Sequence, residues 1–196
     1  MKATMAFALA LCACSGPPSE ASREAALESL VRAVNRNDVE AALAHYTPDA
    51  EFLIPGQHPI RGTEAMRDLL QWDSVLDSRI RFRTDRWRGD TLVAGVGVER
   101  NAWFAGVGLD SIVYAAGTRF VFDGEKISGI YPSTLSAKSM SEFEPKYRAF
   151  FEWGEANAPE VARLAPGGQF VYTGAAAEEW REVLARYAEA RRTPEP

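Results

Sequence analysis

Two of the 196 residues are cysteines, Cys12 and Cys14, and both sit near the start of the chain. The rest can therefore hold neither a disulfide nor a thiolate metal site. Histidine is equally scarce: His45 and His58 are the two present, too few for a metal site without a supporting ligand set. No metal and no other cofactor is expected. Positive charge is in deficit, with 22 Lys and Arg against 27 Asp and Glu, which argues against a phosphate-backbone partner. No nucleic acid is expected. There is no internal repeat, no low-complexity tract and no apolar run near the ~20 residues that span a bilayer. What remains is a chain with 46% hydrophobic and 25% charged residues, the balance of a globular domain whose stability comes from packing alone.

The first residues carry the sharpest local pattern. Lys2 supplies a positive start, and Ala3 to Leu11 form an apolar stretch of signal-peptide length. It ends in Leu11-Cys12-Ala13-Cys14, which resembles the lipobox of bacterial lipoproteins. The resemblance implies cleavage before Cys14, whose thiol takes a diacylglyceryl group, so that residues 1–13 are a signal peptide and 14–21 a tether. Ser15-Gly16-Pro17-Pro18 suits such a spacer. Two or three acyl chains hold firmly where one does not. The expected location is the cell envelope, with the chain anchored to the membrane through Cys14. If the source is Gram-negative, the absence of Asp at position 15 implies the outer membrane, facing the periplasm.

Helical spacing recurs at Leu27, Leu30, Val31 and Val34, with Ser19 or Ser22 as cap, and again at Val39, Ala42, Leu43 and Tyr46 after Asn37. That second helix is expected to end near Pro48. Glu51 to Ile54 reads as a short strand closed by Pro55-Gly56, and Thr63 opens a helix bearing Met66, Leu69 and Leu70. Strands fit 79–87, 92–104, 109–122 and 126–131, joined by turns too short for crossovers, which predicts an antiparallel sheet. Beyond residue 132, Phe143, Tyr147, Phe150 and Phe151 form one apolar stripe, with Pro145 placed in a first helical turn. Trp180, Val183, Leu184 and Tyr187 form another, started by Thr173 or Gly174.

The segments Ala41 to Phe52, Arg61 to Met66 and Phe120 to Ile127, in this order, resemble the nuclear transport factor 2 superfamily, more narrowly its SnoaL-like branch. The resemblance covers residues 22–132. It implies an α+β fold in which a cone-shaped, curved antiparallel sheet packs on N-terminal helices around an apolar pocket. Residues 133–196 form a helical C-terminal extension. Ketosteroid isomerase-like members use an aspartate after the first strand and a second acid on a later one. By resemblance these positions fall on Ile54 and on Gly117 or Thr118, none of them a carboxyl group. The expected function is therefore binding of a small, largely apolar molecule without catalysis, with Phe52, Ile54, Trp103 and Tyr114 as ligand-binding walls. The alternatives are an interaction or structural lipoprotein, or an isomerase or dehydratase-type enzyme using His58 and Glu99. A homodimer is a partner the resemblance allows.

For each candidate the ordinary reading stands beside the functional one. His58 precedes Pro59 and is expected as a solvated loop residue, and His45 as an exposed helix end. Glu99 shares its strand parity with Asn101 and Trp103, opposite Leu92, Ala94, Val96 and Val98, so an outer, half-wet face is expected. Were it buried, its carboxyl would be the best general acid or base on offer. Arg79, Arg81 and Arg83 alternate with Ile80 and Phe82, with Arg86 and Arg88 close by. Protection of a sheet edge explains them, and the sharper reading is contact with anionic headgroups or a phosphate-bearing ligand.

Replacement of Cys14 by serine should abolish lipidation, because an alcohol is not the nucleophile a thiolate is. Mass spectrometry of the mature N-terminus checks it, and a mature chain with no lipid mass on Cys14 would refute the anchor.

Overall fold

The computed structural model describes residues 18–192, so the signal-peptide segment and Cys14 lie outside the described residues. The chain opens with α1 (Glu20–Val34), whose cap Ser19 accepts the Ser22 amide, and α2 (Val39–Leu43), capped by Asp38. Next come β1 (Tyr46–Phe52), β2 (Ile60–Arg61) and α3 (Gly62–Val75). The long hairpin β3 (Arg79–Arg88) and β4 (Thr91–Arg100) leads to the single helical turn α4 (Ala102–Gly106). Short strands β5 (Ile112–Tyr114), β6 (Arg119–Asp123) and β7 (Lys126–Tyr131) follow. The extension consists of α5 (Ala137–Asn157), α6 (Val161–Leu164), a 3₁₀ turn at Pro166–Gly168 and α7 (Gly174–Ala190).

Seven strands form one curved sheet in the order β2-β1-β7-β6-β4-β3, with β5 also on β4. All pairs are antiparallel except β1 with β7, which is parallel. The strands from residue 79 on thus pair antiparallel as expected, β1 adds the one parallel pair, and the second helix is shorter than its apolar spacing suggests. Asn37 takes a left-handed φ of 58°, Asp38 caps, and from Tyr46 the chain pairs with β7 instead of coiling. Two expected strands are likewise cut. Asn101 accepts the Phe104 amide at 2.9 Å and starts α4, and the positive φ of Gly117 turns the chain between β5 and β6. Pro145 lies inside α5 instead of in its first turn, because the Ser136 cap starts the helix well before it.

Two apolar cores result. The first fills the space between the concave sheet face and α1 to α3 with Leu30, Met66, Leu70, Leu92, Phe120 and Ile127. The second lies between α4 and the extension, where Trp103, Phe150, Leu164, Trp180 and Val183 pack together. Close approach of α7 to α4 needs Gly106, since a Cβ there would sit 2.7 Å from Leu184 Cδ2. The extension is thus continuous with the fold, and its aromatics are core.

Trp180 is fully buried and touches the rings of Trp103, Phe150 and Phe170. Trp180→Ala should cost about 3–5 kcal/mol, read as a lower urea midpoint. Truncation after residue 135 should lower the melting temperature strongly, and an unchanged melt would make the extension an independent appendage.

Candidate functional site

Strand alternation puts Leu92 and Ala94 of β4 on the inner face, with the first core. Between the pairs Phe82–Gly97 and Thr84–Ala94, β4 then uses three residues where β3 uses two. This bulge reverses parity, so that Gly97 and Glu99 also face inward. Ile80 and Phe82, their partners on β3, pack on the first core, and Phe82 passes so near Gly97 that a Cβ would lie 2.6 Å from its ring. The outer, half-wet position expected for Glu99 is corrected by the extra residue at Gly95–Val96, which a strict alternation cannot register.

Inside, Glu99 heads a chain of polar groups. Tyr114, opposite Gly97 on β5, donates its hydroxyl to Glu99 Oε2 at 2.7 Å. Asn101, whose Oδ1 caps α4, donates Nδ2 to Glu99 Oε1 at 3.1 Å and to Ser78 Oγ at 3.4 Å. Ser78 in turn donates to Asp73 Oδ1 at 2.8 Å. Two side chains, Ser78 and Asn101, thus link the carboxyl groups of α3 and β4, with Tyr114 of β5 as a further donor to Glu99. Tyr172 of the extension covers them, stacked on Phe170 and edge-on to Trp72 at 5.4 Å, and it packs against both cores.

The electrostatics follow from this enclosure. Burial pushes the Asp73 carboxyl up to about 7, and the neighbouring Glu99 charge adds to it, against the opposing hydrogen bond from Ser78. Burial also raises Glu99, while the bonds from Tyr114 and Asn101 favour its ionised form. Tyr114 is held protonated by burial and by the Glu99 charge, and Tyr172 by burial and by the Asp73 and Glu99 charges. Both carboxyls lie deep in the protein, yet their side chains keep part of their surface, so water reaches them. Asp73 and Glu99 thus form a unit in which the Glu99 charge helps Asp73 keep its proton up to about pH 7. Such a unit can hold a proton and give it up, which is the requirement for general acid–base chemistry.

Residues 27–130 match the SnoaL-like domain family. The chain belongs to the SnoaL-like family. Among solved structures, the epoxide hydrolase/cyclase-like enzyme SalBIII, of pyran ring formation in salinomycin, is 17% identical with a TM-score of 0.53, over 62% of this chain and 95% of that one. An NTF2-like protein from Burkholderia xenovorans is 18% identical with a TM-score of 0.48, over 63% and 96%. Among the curated proteins none matches. The fold of this SnoaL-like domain is thus a mixed α+β one, a curved sheet packed on helices, with the helical extension added.

Against that fold the expected site residues scatter. Phe52 and Ile54 border the first core, whereas Trp103 is the hub of the second, with six aromatic neighbours within 6.4 Å, and is no wall of the cone. Tyr114 borders the second core and reaches Glu99. His58 is exposed in the β1–β2 loop and its backbone amide donates to Gln169 Oε1 at 2.7 Å, so the loop is tied to the extension. His58 and Glu99 do not form a pair. His45 is half-buried, not exposed, and burial with the Arg32 and Lys126 charges lowers its pKa. Thr118 is buried and bonded to Ser133, and Gly117 turns the chain between β5 and β6. Asp73 was missed, although it continues the Met66, Leu69, Leu70 stripe at i+7, i+4 and i+3, a place where an acid must be buried.

Beside Asp73, a void of about 10 Å³ lined by Val34, Asn37, Ala42, Leu70 and Ser74 matches a single water. A larger recess of about 480 Å³ lies among Pro159, Glu160, Arg163, Glu179 and Glu182. It holds none of the network residues, and its walls are surface ion pairs such as Arg163–Glu179. Among the described residues no three His, Cys, Asp or Glu side chains gather to hold a metal ion.

Because the folded state raises the Asp73 pKa above its ordinary 3.8, it binds the proton more tightly than the unfolded chain does. Stability should therefore fall as pH rises from about 4 to about 7 and level off above. Asp73→Asn should flatten that slope in urea midpoints measured across this range, and an unchanged slope would remove Asp73 as its cause.

Proposed function

We propose that this SnoaL-like domain is a lipid-anchored acid–base enzyme. It takes a small, largely apolar molecule into the mouth of its cone and moves a proton on it with the Asp73–Glu99 pair. This reading rests on one observation: two linked carboxyls in an aromatic interior, one of them held near neutrality. The family positions lack acids, and the pair supplies them from α3 and β4 instead. In its ionised form Asp73 accepts a proton from carbon or oxygen. Asp73 then returns it to a second atom of the same molecule, while the charge of Glu99, bonded by Asn101 and Tyr114, raises the basicity of Asp73, so the site ends in the state in which it began. Tyr172, protonated at neutral pH, is a donor for a developing oxyanion beside them. Isomerisation and dehydration are the reaction classes that need only these groups.

Access passes the β1–β2 loop. Gln57 Nε2 donates to Gly168 O at 3.0 Å and Gln57 Oε1 accepts the Phe170 amide at 2.7 Å, while Gln169 binds Gly56 and His58. These bonds, all exposed but that of the Phe170 amide, join the loop to the segment bearing Tyr172. Parting them opens the mouth without disturbing either core. Anchoring through Cys14 would hold this site at the envelope membrane, where small apolar molecules partition.

Binding without reaction is the second reading, favoured by the absence of a carboxyl at Ile54 and by the well-filled first core. One probe separates the two. Nitrobenzisoxazole is a small apolar ring from which a carboxylate removes a C–H proton as the N–O bond breaks, giving a coloured phenolate. Turnover should rise with pH through about 7, as Asp73 ionises. Asp73→Asn should reduce it by at least ~100-fold. Binding of the probe without turnover would select the holding role.

A further inference from the structure

The outer side of the same sheet is as one-sided as the inner. The bulge that turns Glu99 inward is followed by a second, in which β3 uses two residues, Thr84 to Arg86, against one step of β4, Ala94 to Val93. Arg81 is opposite Val98 and Arg86 opposite Val93, whereas Ile80, Phe82 and Trp87 pack on the first core. Arg81, Arg83, Arg86 and Arg88 therefore stand on one outer face, all exposed, although their numbers change parity. Val93 pairs on its other side with Arg119, which is exposed and lies over the Tyr131 ring at 4.8 Å. Arg119 is two strands in from the β3 edge, so protection of an edge does not account for it. The acids of β3, β4 and β6 are Asp85, paired with Arg86 at 3.4 Å, Glu99, which faces inward, and Asp123, exposed at the hairpin end of β6 opposite Lys126. Among the described residues Arg81, Arg83 and Arg88 have no acidic partner. In a chain of net charge −5 this concentrates cations on one surface.

The start of α1 lies at one end of the same sheet, at the hairpin tips on its inner side. Arg23 bonds the Gly124 carbonyl at 3.0 Å and Asp90 at 2.8 Å, and its guanidinium lies over the Trp87 ring at 5.9 Å. Helix α1 is thus clamped to the tips of the β3–β4 and β6–β7 hairpins. From Cys14 to the Ser19 cap the chain spans at most roughly 18 Å. An acyl group on Cys14 would hold these tips, with Arg88 beside them, that close to a bilayer.

We infer that the arginine face of β3, β4 and β6 is a docking surface for anionic phospholipid headgroups, which lays the anchored domain against its membrane on the outer side of its sheet. Guanidinium groups bind phosphate in a bidentate fork, and Val93, Val96 and Val98 between them offer a low apolar floor, with Val96 exposed at 45%. The inference rests on lipidation of Cys14 for proximity, but the charge of the face stands apart from it.

The test uses the full chain as processed by cells, reconstituted with vesicles of phosphatidylcholine alone or with about one third phosphatidylglycerol. Flotation with the neutral vesicles reads the anchor. Hydrogen exchange of residues 79–88 reads the face. Slower exchange on the phosphatidylglycerol vesicles than on the neutral ones is the expected result, reversed by salt of about 0.5 M. The combined R81Q, R83Q, R86Q and R88Q variant should float as before and lose the protection. The weaker R83Q and R88Q pair should lose part of it, since each cation removed lowers the local affinity on the order of fivefold. Equal exchange on both vesicles overturns the inference while leaving the anchor intact. Failure to float overturns the anchor, and phosphatidylglycerol-dependent protection would then still support the face. The same protection from inorganic phosphate on neutral vesicles would replace the membrane with a soluble phosphate ligand.

Discussion

The extra residue in β4 between Ala94 and Gly97 is the constraint on which both faces of the sheet depend. A strand has a side-chain period of two, so one inserted residue exchanges inside and outside for everything beyond it. Here it carries Glu99 from the solvent side to the interior. The answering insertion in β3 brings Arg86 and Arg88 to the side already held by Arg81 and Arg83. The same two irregularities thus put an acid with the acid of α3 inside and gather cations outside. Gly97 lets Phe82 cross this region, and a larger residue would meet its ring.

Enclosure by the extension then raises the proton affinity of both neighbouring acids. Tyr172 and the aromatic core behind it exclude water from one side of the Asp73–Glu99 network, and loss of hydration disfavours the charged forms. Ser78, Asn101 and Tyr114 return part of that cost through hydrogen bonds. The aromatic core carries costs of its own. The indole nitrogens of Trp72, Trp103 and Trp180 are buried without partners, at about 1–3 kcal/mol each, which the burial of these large rings must outweigh. A packed aromatic wall is what allows the Asp73 carboxyl to keep its proton up to about pH 7.

Much of the architecture was legible in the residues. The caps Ser19 and Thr173, the helical stripes of α1, α3 and α7, the strand at 126–131 and the docking of the extension through Trp180 all follow from local periodicity and end signals. Asp73 was within reach, because its spacing from Met66 placed it on the buried stripe.

What the sequence determined by itself was periodicity, since side-chain spacing is a property of the local backbone. The face on which Glu99 lies, the alignment of the four arginines of β3, the capture of Tyr46 by β7 and the transfer of Trp103 from the cone to the second core were decided by tertiary structure alone. In each case the physical reason is the same. A bulge, a parallel partner or a packing neighbour is set by residues far along the chain, and its effect on direction cannot be expressed in the spacing of the residues it moves.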